Sequence, residues 1–159
     1  MEIFLNKKWT SGFSLIEIMI VIGIIGMISS VVLSSFGQYR ARLSKDGAVE
    51  TAVSVISQAH LDTIASKNDS VYGVNLKQSE IIYFKGSVYP GDNDANNIHY
   101  QLPNSVEIAN VNLNGGTSVL YFIRLTGATN NYGTFDVRVR ANTSLVNTVT
   151  INQTGATSI

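Results

Sequence analysis

The chain has 159 residues, of which 45% are hydrophobic and 14% are charged, with 11 basic and 11 acidic side chains. This balance provides no global positive field of the kind that attracts nucleic acid. Because the chain contains no cysteine, its composition excludes a disulfide framework and thiol chemistry. With the hydrophobic helix described next set aside, the remaining length predicts one modest globular domain.

A charge-free apolar run begins close to the amino terminus. It extends from Ile18 to Tyr39 over 22 residues and consists mainly of Ile, Val, Met and Leu. A helix of this length, at about 1.5 Å per residue, spans the roughly 30 Å hydrocarbon core of a bilayer. A basic leader with Lys7 and Lys8 precedes the run, and the carboxylate of Glu17 lies at its start. Since a charge there is costly without a partner, Glu17 is a candidate functional residue.

The junction reads GFSLIE from Gly12 to Glu17 and resembles the class III signal of type IV prepilins and pseudopilins. In that family a prepilin peptidase cuts after the glycine, on the cytoplasmic side, and methylates the new amino-terminal Phe. The resemblance therefore implies cleavage between Gly12 and Phe13, methylation of Phe13 and a role for Glu17 in assembly. It also implies a single-pass protein of the bacterial inner membrane, with a periplasmic or extracellular carboxy-terminal domain, that later enters a pilus or pseudopilus.

Two other interpretations of this segment remain open. A secretory signal peptide would use Lys7 and Lys8 as its basic region and would need cleavage near Ser34 or Ser35. A plain single-pass anchor is the second alternative, and neither one gives Glu17 a role. Because basic residues flank the apolar run on both sides, charge does not decide the orientation. The topology with the amino terminus inside rests on the resemblance.

Residues 40–68 keep a helical period but become amphipathic. Apolar or partly apolar side chains recur at steps of three and four residues, at Val49, Val53, Ile56, His60 and Ile64, beside Ala48, Ala52 and Ala59. This stripe predicts a helix that packs on a globular domain. We expect one helix from about Ser14 to a stop near Asn68-Asp69-Ser70, with His60 partly covered rather than a metal ligand.

From Val71 onward the apolar period changes from 3.6 to 2, which predicts strands. We expect them at 71–76, 81–85, 98–102, 106–113, 118–124, 134–140 and 148–152. The nearly continuous apolar run Ser118–Arg124 predicts a strand buried on both faces. Phe135, Val137 and Val139 are expected on one face of their strand. Turn residues between the runs, including Asn142-Thr143-Ser144, predict an antiparallel sheet.

Together these patterns predict an α+β fold in which a long amino-terminal helix packs on an antiparallel β-sheet domain. Its expected parts are a leader at 1–12, a transmembrane half of the helix at 13–39, an amphipathic half at 40–68 and a β-rich domain at 69–159. The segment from Val71 to Ile159 also resembles GspH/FimT-like minor pseudopilins and minor pilins, through motifs such as Tyr72-Gly73-Val74 and Gly133-Thr134-Phe135. This second resemblance implies a pilin-like domain.

One candidate ligand site lies in a loop. The stretch DNDAN resembles the opening of a calcium loop, with Asp92, Asp94 and Asn96 as oxygen ligands. Pro103 stands where such a loop has its bidentate Glu, and Asn97 stands where it has Gly, so an EF-hand is excluded. A looser calcium site and a solvated loop without metal remain as alternatives.

The other candidate group consists of Arg124, Arg138 and Arg140. Arg138 and Arg140 lie two residues apart on one strand face, where a small basic patch would meet phosphates. Some FimT-like minor pilins bind DNA during natural transformation, so the resemblance makes nucleic acid a candidate partner. The alternative is a solvated strand face with cross-strand ion pairs.

We find no constellation typical of an enzyme and no cofactor motif in the sequence. The two resemblances instead imply a structural subunit, minor rather than major, of a type IV pilus or a type II secretion pseudopilus. Its expected partners are other pilin or pseudopilin subunits, prepilin peptidase and inner-membrane lipid. A DNA-binding minor pilin for natural transformation and a major pilin are the alternatives.

Overall fold

The structure, a computed structural model, describes residues 12–159, so the predicted leader lies outside the described residues except for Gly12. The helix α1 spans Leu15–Ile64. Eight strands follow: β1 (Tyr72–Leu76), β2 (Glu80–Lys85), β3 (Ile98–Gln101), β4 (Val106–Leu113), β5 (Val119–Tyr121), β6 (Gly133–Val139), β7 (Asn142–Ile151) and β8 (Thr157–Ser158). The chain divides into two compact units between Gln38 and Tyr39, and we call the second, Tyr39–Ile159, the globular unit.

Within the globular unit, the apolar stripe of α1 packs on the strands. Its buried residues are Ala48, Val49, Ala52, Val55, Ile56 and Ala59. Val53 is partly buried and packs against the same core, whereas Ile64 is exposed at 37%. The alanines let the helix lie close to the strands, because a methyl side chain adds little thickness to a packed layer. The predicted amphipathic helix on a β-rich domain is therefore confirmed.

The helix ends earlier than the sequence predicted. After Ile64 the chain makes a short 3₁₀ turn at Lys67–Asp69, and Ser66, Asn68 and Asp69 all have positive φ. These left-handed conformations cannot continue a right-handed helix. The Thr63 hydroxyl accepts a hydrogen bond of 2.9 Å from the main-chain N–H of Tyr72, which ties the end of α1 to the start of β1.

The strands form two antiparallel sheets of four strands each, where the sequence predicted a single β-sheet domain. The first has the order β3-β2-β1-β5 and the second the order β4-β6-β7-β8. β5 pairs with β1 through Val74 and Leu120, which are far apart in sequence, instead of with its neighbour β4. Pairing between distant strands depends on which edges meet in three dimensions, so alternation within each strand does not predict it.

One hydrophobic core joins the helix and both sheets. β1 and β2 contribute Val74, Leu76 and Ile81, and the second sheet contributes Ile108, Phe135, Val137, Val149 and Ile151. Phe135, Val137 and Val139 are all buried while Asp136 and Arg138 are not, so the predicted facing of β6 is confirmed. β4 contains a register shift between Ala109 and Asn112.

The segment predicted as a strand buried on both faces, Ser118–Arg124, is different in the structure. Its strand, β5, covers only Val119–Tyr121 at one edge of the first sheet. Leu120 and Phe122 are buried, but Ile123 and Arg124 are exposed. The chain turns at this point, since the Gly127 N–H donates to the Ile123 carbonyl at 2.9 Å. A continuous apolar run is therefore compatible with an edge strand followed by an exposed turn.

The last hairpin also differs from its prediction. Asn142-Thr143-Ser144, predicted as a turn, belongs to β7, and the turn is formed by Arg140 and Ala141. The pairing between β6 and β7 contains a register shift between Arg138 and Val139, which accommodates the earlier start of β7. The short strand β8 was not predicted, because two residues carry no detectable alternation.

Candidate functional site

The residues of the predicted cleavage and assembly site lie together at the start of α1. Gly12, Phe13 and Ser14 precede the helix in irregular backbone. The Ser14 carbonyl accepts hydrogen bonds from the N–H groups of Glu17 at 3.0 Å and Ile18 at 3.2 Å, so Ser14 is the N-cap residue immediately before the helix. The Gly12–Phe13 bond thus lies just outside the helix, where the backbone is open to a protease.

Glu17 lies in the first turn of α1, where the helix dipole favours a carboxylate. Its side chain is exposed, and no ion pair links it to another of the described residues. Phe13 is 81% exposed. The two residues predicted to act in assembly are therefore both accessible at the same end of the helix.

The apolar part of α1 is exposed on every face. All residues from Gly12 to Val32 are exposed, and they include Ile16, Ile22, Met27 and Val31. The helix is long and apolar enough to cross a membrane by length and composition. The Ser30 hydroxyl donates to the Met27 carbonyl at 2.8 Å, so this polar group is satisfied within the helix itself. An apolar surface of this extent requires a cover, either lipid or other apolar helices.

Arg138 and Arg140 do not form an uncompensated basic patch, because both contact Glu107. Arg138 Nε and Nη2 each lie 2.7 Å from Glu107 Oε1, and Arg140 Nη1 lies 3.2 Å from Oε2. Gln78 donates a further hydrogen bond of 2.8 Å to Oε2. The geometry is that of the cross-strand ion pairs given above as the alternative to phosphate binding.

Glu107 is the residue that sequence reasoning missed. It is 7% exposed although it carries a charge, and it lies opposite Arg138 in the β4–β6 ladder. Hydrogen bonds from Gln78 and Arg138 hold the pKa of its carboxyl below the ordinary value of a Glu. The signal in the sequence was the placement of Glu107 between Val106 and Ile108, which puts it on the same face as the arginines once the two strands are paired.

Arg124 belongs to a separate cluster. Its guanidinium contacts Asp69 at 2.7 Å and the Ser66 hydroxyl at 3.3 Å, both in the turn after α1. The structure therefore assigns the three arginines to two different acidic partners. It does not bring Arg124 into one patch with Arg138 and Arg140.

The candidate calcium ligands are engaged by protein groups. Asp92 contacts the Lys77 ammonium at 2.5 Å and accepts a hydrogen bond of 2.6 Å from the Tyr89 hydroxyl. These two groups hold the pKa of the Asp92 carboxyl below its ordinary value. Asp94 accepts hydrogen bonds from the main chain and side chain of Asn96, which is the pattern of a turn closed by an Asp side chain.

Neither histidine lies in a cluster of metal ligands. His60 packs its ring edge-on against Phe122 at 5.1 Å, and His99 contacts Glu80 at 2.9 Å. Within residues 12–159, no group of three or more His, Cys, Asp or Glu side chains is arranged to hold a metal ion.

Comparison of the chain with protein-family models, with curated proteins and with solved structures gives no match.

Proposed function

We propose that the chain is the precursor of a filament subunit of the type IV pilin or pseudopilin kind. The observation that carries the proposal is the junction itself: Gly12-Phe13 outside the helix, Glu17 in its first turn, and an exposed apolar helix directly after it. Prepilin peptidase would remove residues 1–12 and methylate Phe13. The precursor would cross the bacterial inner membrane once, through the apolar half of α1.

The exposed apolar half of α1 is compatible with two successive environments. Before assembly, lipid covers the side chains from Ile18 onward. After assembly, the same side chains pack against equivalent helices of neighbouring subunits. Both environments are apolar, so transfer from one to the other does not expose this surface to water.

Glu17 supports the assembly step through its charge. Cleavage creates a positive amino terminus at Phe13, and the carboxylate of Glu17 is negative. Each charge is costly alone in an apolar medium, and the cost falls when the two form a pair. We infer that Glu17 of one subunit binds the Phe13 amine of its neighbour, which would also set the register between the helices.

The globular unit would face outward and determine the partners of the subunit. Its β-rich pattern supports a minor subunit of the GspH/FimT-like type, in a pilus or in a type II secretion pseudopilus. The engaged arginines give no support to DNA binding as its main task.

The test is expression of the full chain with prepilin peptidase in a host that assembles pili. The mature protein is expected to begin at Phe13 and to be one methyl group heavier than the unmodified chain by mass spectrometry. Glu17→Gln should be cleaved and inserted normally but should be depleted from sheared filaments. Ser30→Ala is the matched control, because its hydroxyl bonds only within its own helix. A mature terminus elsewhere, or normal incorporation of Glu17→Gln, would overturn the proposal.

A further inference from the structure

We propose that an uncovered strand edge in the globular unit binds an extended, basic segment of a different polypeptide, which adds a strand to the second sheet. The site consists of residues 142–149 of β7, which we call the β7 edge, and the groove between this edge and α1. The inference uses only the globular unit, so it does not depend on the filament proposal.

The β7 edge is unpaired over most of its length. β8 pairs with β7 only at Thr150 and Ile151. On the same side, no described strand pairs with residues 142–149. The edge lacks Lys and Pro, residues that commonly protect strand edges from pairing with other chains. Residues 143–145 bulge out of the ladder with β6, so the regular part of the edge is 146–149.

The phase of the ladder identifies the free main-chain groups. The Asn152 N–H donates to the Ala156 carbonyl at 2.9 Å. The main-chain N–H and C=O groups of the even-numbered residues of β7 therefore point to the side of the strand on which β8 lies. Directly after β6, the Arg140 N–H donates to the carbonyl of Ser105, the residue before β4. The even-numbered residues of β6 therefore bond β4, which leaves its odd-numbered residues to bond β7. Both observations place the N–H and C=O groups of Val146 and Thr148 on the open side.

An open groove of about 420 Å³ lies beside this edge. Its walls are formed by Asp46, Val49, Glu50 and Val53 of α1, Asn147 of β7 and Ile159. The Lys45 ammonium contacts the Asn147 side-chain oxygen, which holds β7 and α1 together at this point. A strand added at the β7 edge would place alternate side chains into the groove, above Val49 and Val53.

The charges at the groove indicate which kind of segment would bind there. Asp46 and Glu50 are exposed on its rim, and Glu50 has no ion pair with another described residue. The neighbouring cation, Lys45, is already engaged by Asn147 and by Asp46 at 3.4 Å. An occupant with apolar side chains facing inward and a Lys or Arg near Glu50 would complement both features.

A second copy of this chain fits the site less well. The terminal strands of the two described sheets are β3, β5, β4 and β8, and none of them contains Lys or Arg. The β7 edge itself is uncharged, and Lys45 beside it already contacts Asn147 and Asp46. Pairing the edge with its own copy would therefore bring no free cation to Glu50. The occupant is therefore a different polypeptide.

The experiment uses the full chain in detergent micelles and a short end-capped peptide that alternates valine with lysine and threonine. Binding is measured by fluorescence anisotropy of the labelled peptide. Val146→Pro removes an outward N–H without touching the bonds to β6, and it should weaken binding by at least about tenfold. Val146→Thr keeps the N–H and is the matched control, with an affinity within about twofold of the original chain.

Charge reversal gives the second arm. Glu50→Lys should bind the lysine peptide about threefold to tenfold more weakly and should regain affinity for a peptide with glutamate in place of lysine. The proposal is overturned if the original chain does not bind the lysine peptide, or if Val146→Pro binds it as well as Val146→Thr does. Dimerisation of the chain that Val146→Pro abolishes would identify a second copy as the occupant and overturn the assignment to a different polypeptide.

Discussion

Arg138 and Glu107 face each other directly across β6 and β4, with two guanidinium nitrogens of Arg138 at 2.7 Å from the same carboxylate oxygen. The other oxygen of Glu107 accepts from Arg140 and Gln78. One buried carboxylate therefore pairs with both arginines that, taken from the sequence alone, formed a candidate phosphate site. This relationship leads to the first two predictions.

Glu107→Gln should lower the stability of the globular unit at neutral pH and reduce its sensitivity to acid. The pKa of Glu107 is lowered in the folded protein, so its stabilisation is complete above the unfolded value of about pH 4.3 and is lost as the pH falls through the folded value. Urea unfolding at a series of pH values, followed by near-ultraviolet circular dichroism of the tyrosines, measures both effects.

Gln78→Met provides a graded comparison for that experiment. It removes only one hydrogen bond to Glu107, from an exposed position, so its acid sensitivity should be intermediate. An acid profile of Glu107→Gln identical to that of the original chain would contradict the role given to Glu107.

Removing the charge of Glu107 should increase DNA binding. In a gel shift, the original chain should show no DNA binding that depends on Arg138 and Arg140, because both arginines are already paired. Arg138→Ala/Arg140→Ala should therefore leave the result unchanged. Glu107→Gln should produce weak retention at low salt, with a logarithmic slope of about −0.9 for each phosphate contact. A gel shift over a salt series measures this. Retention by the original chain that the double alanine variant abolishes would instead support the DNA-binding alternative.

Tyr83→Phe should reduce the free energy of unfolding by about 1–2 kcal/mol. The Tyr83 hydroxyl donates a hydrogen bond of 2.7 Å to Asp62, while its ring stacks on Tyr72 at 5.4 Å and would still do so after the change. Burial alone would raise the pKa of Asp62, but hydrogen bonds from Tyr83 and Lys67 outweigh it and hold the pKa below its ordinary value. Chemical denaturation at neutral pH gives the difference.

Tyr100→Phe is the control for that prediction, because its hydroxyl makes no hydrogen bond within the described structure and the change should cost less than about 0.5 kcal/mol. Equal losses in the two variants would show that the hydroxyl of Tyr83 makes no specific contribution.

Gly155→Ala should be clearly more destabilising than Gly115→Ala. The two glycines have similar positive φ values, 84° and 90°, so each substitution carries a conformational cost of about 1–2 kcal/mol. A Cβ at residue 155 would also overlap the Gly127 carbonyl and lie 2.6 Å from His60 Cδ2, whereas at residue 115 the nearest atom is 3.7 Å away. The crowding should add about 1–3 kcal/mol at 155 alone.

Thermal unfolding of the two variants side by side measures this difference. Because the conformational term is nearly the same in both, the comparison isolates the close packing of the 155 loop on His60. A Gly155→Ala variant as stable as Gly115→Ala would mean that the loop moves away at no cost.

The sequence by itself determined the long helix, its apolar stripe, most of the strands and the facing of β6. The length of the apolar run, the stripe of α1 and the alternation in β4 and β6 depend on local periodicity, which side chains carry whether or not the chain is folded. The junction at Gly12 to Glu17 was equally visible, because its information lies in consecutive residues.

Only the tertiary structure decided which edges meet. The division into two sheets, the placement of β5 beside β1, the open β7 edge and the convergence of Gln78, Arg138 and Arg140 on Glu107 all join residues distant in sequence. Such contacts depend on strand order and register, which local patterns leave free. For this reason the residues of the candidate basic patch form an ion-pair cluster, while the open β7 edge begins where the sequence had predicted a turn.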